Sequence, residues 1–133
     1  MIETYRGTVY PSEIDHMGHM NVQFYVSKFD EATWNLFSSI GINSKYIKDN
    51  NKGMVAVEQK IIYKKEVLEG DCLYIKSKII EIKDKSLKFI HYMYNAETDE
   101  QISSCELIGV HIDRLKRKAC RLPKFIIELG NKL

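Results

Sequence analysis

Cysteine is scarce in this chain of 133 residues, and the three present are Cys72, Cys105 and Cys120. They lie far apart, are odd in number and form no Cys-x-x-Cys pattern. That argues against a disulfide framework or a zinc ribbon and points to a reducing cytoplasm. Long apolar runs are lacking too: none approaches the roughly 20 residues of a membrane span. No charged-then-apolar leader opens the sequence either, so no membrane partner is expected. With only two prolines and seven glycines there is no flexible linker, and neither a repeat nor a low-complexity tract appears. A single domain over residues 1–133 is therefore expected. An overall excess of one charge is also missing: the net charge of +2 is too small for a general nucleic-acid binder. Its one local excess is Arg114, Lys116, Arg117, Lys118, Arg121 and Lys124. Such a stretch suits a solvated surface or attracts a phosphate-bearing ligand.

What is present is apolar content of 44%, enough for a real core, with two clear periodicities. Residues 2–10 alternate loosely and read as a strand closed by Pro11-Ser12. Over residues 22–40 the apolar positions Val22, Tyr25, Val26, Phe29, Ala32, Leu36 and Ile40 advance by three or four, one face of a helix. Phe24, Trp34 and Phe37 lie off that stripe, so the helix calls for enclosure on more than one side. Asn21 suits its N-cap and Gly41 its stop. After a polar loop ending near Gly53 the period becomes two, over residues 54–67, 72–83, 87–97 and 101–115, with turns at Gly70-Asp71, Asp84-Lys85-Ser86 and Thr98-Asp99-Glu100. Pro123 ends the pattern before a short amphipathic tail. Strands in sequence with hairpin links predict an antiparallel sheet. The expected class is α+β, a five-stranded antiparallel sheet wrapped around one long central helix. Its edges favour pairing with a second copy.

Just before the helix stands Asp15-His16-Met17-Gly18-His19-Met20-Asn21. A carboxylate, two imidazoles and an amide sit at a helix N-terminus, whose unpaired N–H groups and partial positive charge stabilise an oxyanion. This points to chemistry on a carbonyl. Asp15 with His16 and His19 superficially suggests a metal cluster, yet no further acidic or sulfur ligand lies nearby, so no metal is expected.

The stretch Asp15-x-Met17-Gly18-His19-Met20-Asn21-x-x-x-Tyr25, followed by Phe29-Asp30-Glu31-Ala32, resembles the hotdog-fold acyl-CoA thioesterases, specifically the 4-hydroxybenzoyl-CoA thioesterase-like group. The strand–helix–four-strand order and the ending Arg121-Leu122-Pro123 are similar as well. The resemblance implies a thioester hydrolase acting on an acyl-CoA. It implies no metal or bound redox cofactor, and a homodimer or tetramer of dimers with sites at the subunit interface. In that family the aspartate matching Asp15 is nucleophile or general base, and backbone amides at the helix start polarise the thioester carbonyl. Acyl-ACP thioesterases share a related helix-entry pattern in which aspartate, asparagine and histidine are catalytic. Asp15, His19 and Asn21 match there, while Met17 and Val22 depart from it. One subfamily with a very similar Gly-His-Met-Asn-Val stretch acts on betainyl-CoA.

Each of these residues has a structural reading beside the functional one. Asp15 is a base or nucleophile, or forms an Asx-turn. His19 orients Asp15, binds the carbonyl, or bonds loop backbone. Asn21 caps the helix or touches substrate. Gly18 serves backbone geometry or close substrate approach, with Met20 beside it as a candidate substrate contact. Tyr25 packs in the core or lines the acyl pocket. Glu31 is exposed or bonded to the motif loop, since a buried carboxylate needs a partner. Glu58 is a candidate site residue on a strand bordering the partner subunit. His91 and His111 read as packing residues. Tyr63, Tyr74, Tyr92, Tyr94 and Trp34 are strand and helix aromatics, or hold an aromatic or cationic acyl group. The rival functions are an acyl-ACP thioesterase and a non-catalytic acyl-CoA-binding domain.

Overall fold

Alternation of apolar and polar residues drives most of the sheet. In the computed structural model, which describes residues 1–133, β1 (Ile2–Thr8), β2 (Lys52–Tyr63), β3 (Cys72–Ile82), β4 (Ser86–Asn95) and β5 (Gln101–Asp113) are long strands, and β6 (Lys118–Ala119) is a two-residue addition. On β4 the inward set Leu87, Phe89, His91 and Met93 is buried. It faces the buried stripe Tyr25, Phe29, Ala32, Leu36 and Phe37 of helix α1 (Val22–Ser39). One continuous apolar core of 22 buried residues joins helix and sheet. The α+β architecture, an antiparallel sheet curled around one long helix, agrees with expectation. Asn21 caps α1 by accepting from the Gln23 amide at 3.0 Å. Gly41, at φ 95°, takes the left-handed position just past the end.

The strand order is β1-β3-β4-β5-β2, with β6 paired to β5. This corrects three expectations. The sheet has six strands rather than five. The supposed polar loop contains a second helix, α2 (Ser44–Asn50), capped by the Asn43 side chain on the Tyr46 amide. A further short turn of 3-10 helix spans Pro11–Glu13, and the amphipathic tail is helix α3 (Lys124–Asn131). Third, β2 and β3 are not a hairpin: β2 pairs with β5 at the far edge, and β1 is the neighbour of β3.

The link over residues 64–71 is instead a strap crossing the N-terminal end of α1. It is pinned by Lys64 N to Ile102 O (2.8 Å), Met20 N to Val67 O (2.7 Å) and Gly70 N to Val9 O (2.9 Å). Val67 is completely buried beneath it. An eight-residue connection of this kind needs its own anchors, and buried Val67 with three backbone bonds supplies them.

β2 is unusual among the strands. From Val55 to Lys60 every residue is exposed, so neither face of this edge strand is covered over that stretch. A bulge between Ala56 and Glu58 leaves Val57 out of register and 61% exposed. Val22, Val26 and Trp34 of α1 are exposed as well. The enclosure expected for the helix is therefore incomplete along its β2 side.

Candidate active site

The loop ahead of α1 is built from short polar bonds. Ile14 and Met20 form an antiparallel bridge, with Asp15 N donating to His19 O (3.2 Å) and Asn21 N to Glu13 O (2.9 Å). Between them the chain reverses at Gly18, whose φ of 88° lies in the left-handed region that favours glycine. The Asp15 carboxylate closes the turn: Oδ1 accepts from Met17 N (2.8 Å) and Oδ2 from Asn21 Nδ2 (3.0 Å). Asn21 thus accepts from the helix with its oxygen and donates to Asp15 with its nitrogen, coupling cap and carboxylate through one amide group. Those bonds, the Asn21 amide first and the Met17 N–H next, hold the Asp15 carboxyl below the usual range. It is ionised at neutral pH and half exposed.

Three amides in this segment are left over, that of His16 and two nearer the helix. The backbone N–H groups of His19 and Val22 have no acceptor anywhere in the chain. Val22 is the first residue of α1, where an unpaired donor is intrinsic to the helix end. Both residues border a cleft of about 320 Å3 whose walls also include Met20, Tyr25, Tyr63 and Glu66. Tyr25 and Tyr63 meet edge to face at 5.0 Å, and the Tyr25 hydroxyl donates to Lys65 O on the strap at 3.3 Å. Burial, then the neighbouring Tyr63 and Glu66, push the Tyr25 phenol up to about 12, so it stays protonated and a donor.

The family model for the thioesterase-like superfamily matches residues 9–129, a span that takes in the whole of this site. The chain belongs to that superfamily. Among curated relatives, the Rhizobium L-carnitine dehydrogenase/betainyl-CoA thioesterase is 26% identical over 114 residues, covering 86% of this chain and 23% of its own length. This chain therefore spans less than a quarter of that relative. The Pseudomonas aeruginosa betainyl-CoA thioesterase is 24% identical over 112 residues, 84% of this chain and 70% of that protein. In three dimensions the chain is similar to a Staphylococcus aureus protein characterised in complex with CoA, with TM-score 0.91 at 20% identity, covering 99% of this chain and 85% of that one. It is also similar to the Synechocystis 1,4-dihydroxy-2-naphthoyl-CoA thioesterase, with TM-score 0.85 at 19% identity over 97% and 95% of the two chains. The fold is the hotdog fold.

Within this thioesterase-like domain the residues singled out from the sequence divide by place. His19, Met20 and Tyr25 border the cleft. Asp15, Gly18 and Asn21 belong to the turn just ahead of α1 and are not among the residues that line the cleft. Glu58 stands apart, exposed on the uncovered stretch of β2, and Glu31 is exposed on α1 rather than bonded to the loop. His91 and His111 are buried and fully partnered, on Thr33 and Ser77 and on Tyr46 and Cys120.

Two features gave no signal in the sequence. The strap residues Lys64, Lys65 and Glu66 form one wall beside Tyr63 at the end of β2, because the crossover carries them across the helix tip. Below the motif turn, Glu13 and Lys28 form a buried ion pair at 2.6 Å. The second Glu13 oxygen accepts from Tyr10 N at 2.9 Å, and the Lys28 ammonium lies 5.5 Å from the Tyr5 ring centre. Burial opposes both charges, but the pairing outweighs it: Glu13 sits below its usual range and Lys28 above. The pair clamps the turn to the first half of α1 and so fixes where Asp15 sits.

Proposed function

We propose that this protein hydrolyses acyl-CoA thioesters to the free acid and coenzyme A. One observation carries the reading: His19 and Val22, whose backbone N–H groups are unpaired, line a cleft at the start of α1, and the ionised carboxylate of Asp15 stands in the turn that carries them. A backbone donor aimed at a developing oxyanion stabilises it, typically by a factor of about 10²–10³. Asp15 has spare lone pairs on both oxygens, since each accepts only one hydrogen bond. It acts either as general base on water or as nucleophile. In the first path water adds to the carbonyl, its proton passes to Asp15, and the C–S bond breaks. In the second the Asp15 oxygen bonds to the carbonyl carbon as the C–S bond breaks and CoA thiolate departs, and water then attacks Cγ of Asp15 in the resulting anhydride, releasing the acid, leaving its oxygen on Asp15 and giving up its protons to the thiolate and solvent. Single turnover in 18O-labelled water separates the two, because only the second path leaves label in Asp15. His19 and Asn21 position the carboxylate and carbonyl, while Gly18, Met20 and Tyr25 shape the acyl end.

The working unit is a two-fold dimer joined along β2, which covers the exposed Val55–Lys60 stretch and the open side of α1 and brings Glu58 to the interface. The curated relatives that act on betainyl-CoA support the CoA carrier, as does the neighbour in complex with CoA. The test is thiol release across short, long, aromatic and trimethylammonium-bearing acyl-CoAs, each beside the matching acyl-ACP. Turnover of at least one CoA ester, faster than its ACP counterpart, is expected. Binding of CoA esters by calorimetry with no turnover of any would instead mark a non-catalytic domain.

A further inference from the structure

The uncovered stretch of β2 carries two opposite charges, and neither is neutralised within the chain. Glu58 and Lys60 are both exposed, and neither belongs to an ion pair. Lys60 stands opposite Glu106 of β5, but the Glu106 carboxylate is engaged by Lys88 at 3.1 Å. A free carboxylate and a free ammonium two residues apart on an edge strand point out of the same sheet face.

That face follows from the ladder with β5. Beyond the bulge, Glu58, Gln59, Lys60 and Ile61 stand opposite Ile108, Leu107, Glu106 and Cys105. Leu107 and Cys105 are buried, and Gln59 borders a small cavity together with Phe37 and Phe89. Gln59 and Ile61 therefore lie on the helix side of the sheet, and Glu58 and Lys60 on the outer side.

A second copy that extends the sheet antiparallel across a two-fold axis must set like faces opposite each other. A slip of one residue would turn every side chain over. The axis therefore passes through a residue rather than between two. Val57 is left unpaired by the bulge, so the exposed part of the regular ladder offers Glu58, Gln59 and Lys60. An axis on Glu58 sets two carboxylates face to face, and one on Lys60 sets two ammonium groups so, both destabilising. An axis on Gln59 sets Glu58 of each protomer opposite Lys60 of the other.

We propose that this protein dimerises on β2 in the register centred on Gln59, where two reciprocal Glu58–Lys60 ion pairs flank the axis and select a second copy of the chain as partner. This rests on the dimer reading above and gives it a register. The Tyr63 end of each β2 then runs beside the Met54–Val55 end of the other, so the partner extends the Tyr63 wall of the His19–Tyr25 cleft.

Sedimentation equilibrium of the full chain and three variants tests the register, with acyl-CoA hydrolysis measured in parallel. Glu58→Lys and Lys60→Glu each turn two attractive contacts into two repulsive ones. Each is expected to raise the dimer Kd about tenfold at low salt, and the loss shrinks at high salt as the charges are screened. The double variant Glu58→Lys/Lys60→Glu restores both attractive pairs and is expected to return the Kd to near the parental value. It carries the intrachain disturbance of both single variants, a glutamate facing Glu106 included, so its recovery comes from across the axis. A Glu58-centred register would leave Glu58→Lys like the parent, and a Lys60-centred one would leave Lys60→Glu so. Either result, a double variant no better than the singles, or a monomeric parent overturns the proposal. Rescued dimerisation without hydrolysis of any acyl-CoA fails the thioesterase reading alone, whereas hydrolysis by a monomeric parent fails the dimer and its register alone.

Discussion

At the scale of single residues, the proposed catalytic carboxylate of Asp15 is held in place by less conspicuous neighbours. Asp15 and Asn21 were legible because a carboxylate and an amide at a helix entry have few other uses. Glu13 and Lys28 were not, since nothing in their spacing of fifteen residues says that a loop folds back to join them. Removing one member leaves the other charge buried and alone. Glu13→Gln and Lys28→Met are each expected to lower unfolding free energy by about 3 kcal/mol in urea titrations. The pH dependence follows from the shift directions. Glu13, depressed in the fold, contributes stability above its unfolded value near 4.5 that is lost as pH falls through the folded value. Lys28, raised, contributes below 10.5 and loses it as pH climbs through the folded value. Gly18 is a milder case, as a Cβ there meets nothing within 4 Å. Gly18→Ala is expected to cost only the left-handed backbone, about 1 kcal/mol in the same titration.

Among elements, helix and sheet are tied by a buried polar chain as well as by apolar packing. Thr33 donates to Phe29 O (2.9 Å), so its oxygen accepts from His91 Nε2 at 2.8 Å. His91 Nδ1 then accepts from Ser77 (2.5 Å), and Ser77 is 2.7 Å from Thr4. This links α1, β4, β3 and β1 through one neutral imidazole. Burial pushes His91 down to about 3. A histidine that stays neutral when folded but protonates when unfolded makes stability fall with pH. The loss begins near the ordinary 6.5 and continues to about 3, at up to about 1.4 kcal/mol per pH unit. Thermal melts from pH 7 to pH 4 are expected to show that decline, and His91→Gln to flatten it. The strands were readable because their alternation is long. The seven-residue α2 was not, since about two mostly polar turns carry little apolar periodicity. The β2–β3 crossover was misread because Gly70-Asp71 is a turn signal whether or not the flanking strands pair.

On the scale of the whole molecule, the uncovered β2 edge and the open side of α1 call for a second copy, and sequence periodicity marked the helix as needing that cover without saying what supplies it. A charge on the edge should prevent it. On the proposed reading the parent is expected to sediment as a dimer and Val57→Lys as a monomer, with acyl-CoA hydrolysis falling in step. A catalytically complete monomer would leave the cleft self-sufficient. The central claim concerns the carboxylate in the turn ahead of α1, and it is tested most directly by thiol release from the best acyl-CoA substrate with Asp15→Asn, whose shape is kept and whose charge is gone. The account predicts a loss of about 10²–10⁴-fold in kcat with unchanged melting and assembly. Hydrolysis by Asp15→Asn at the parental rate would contradict it.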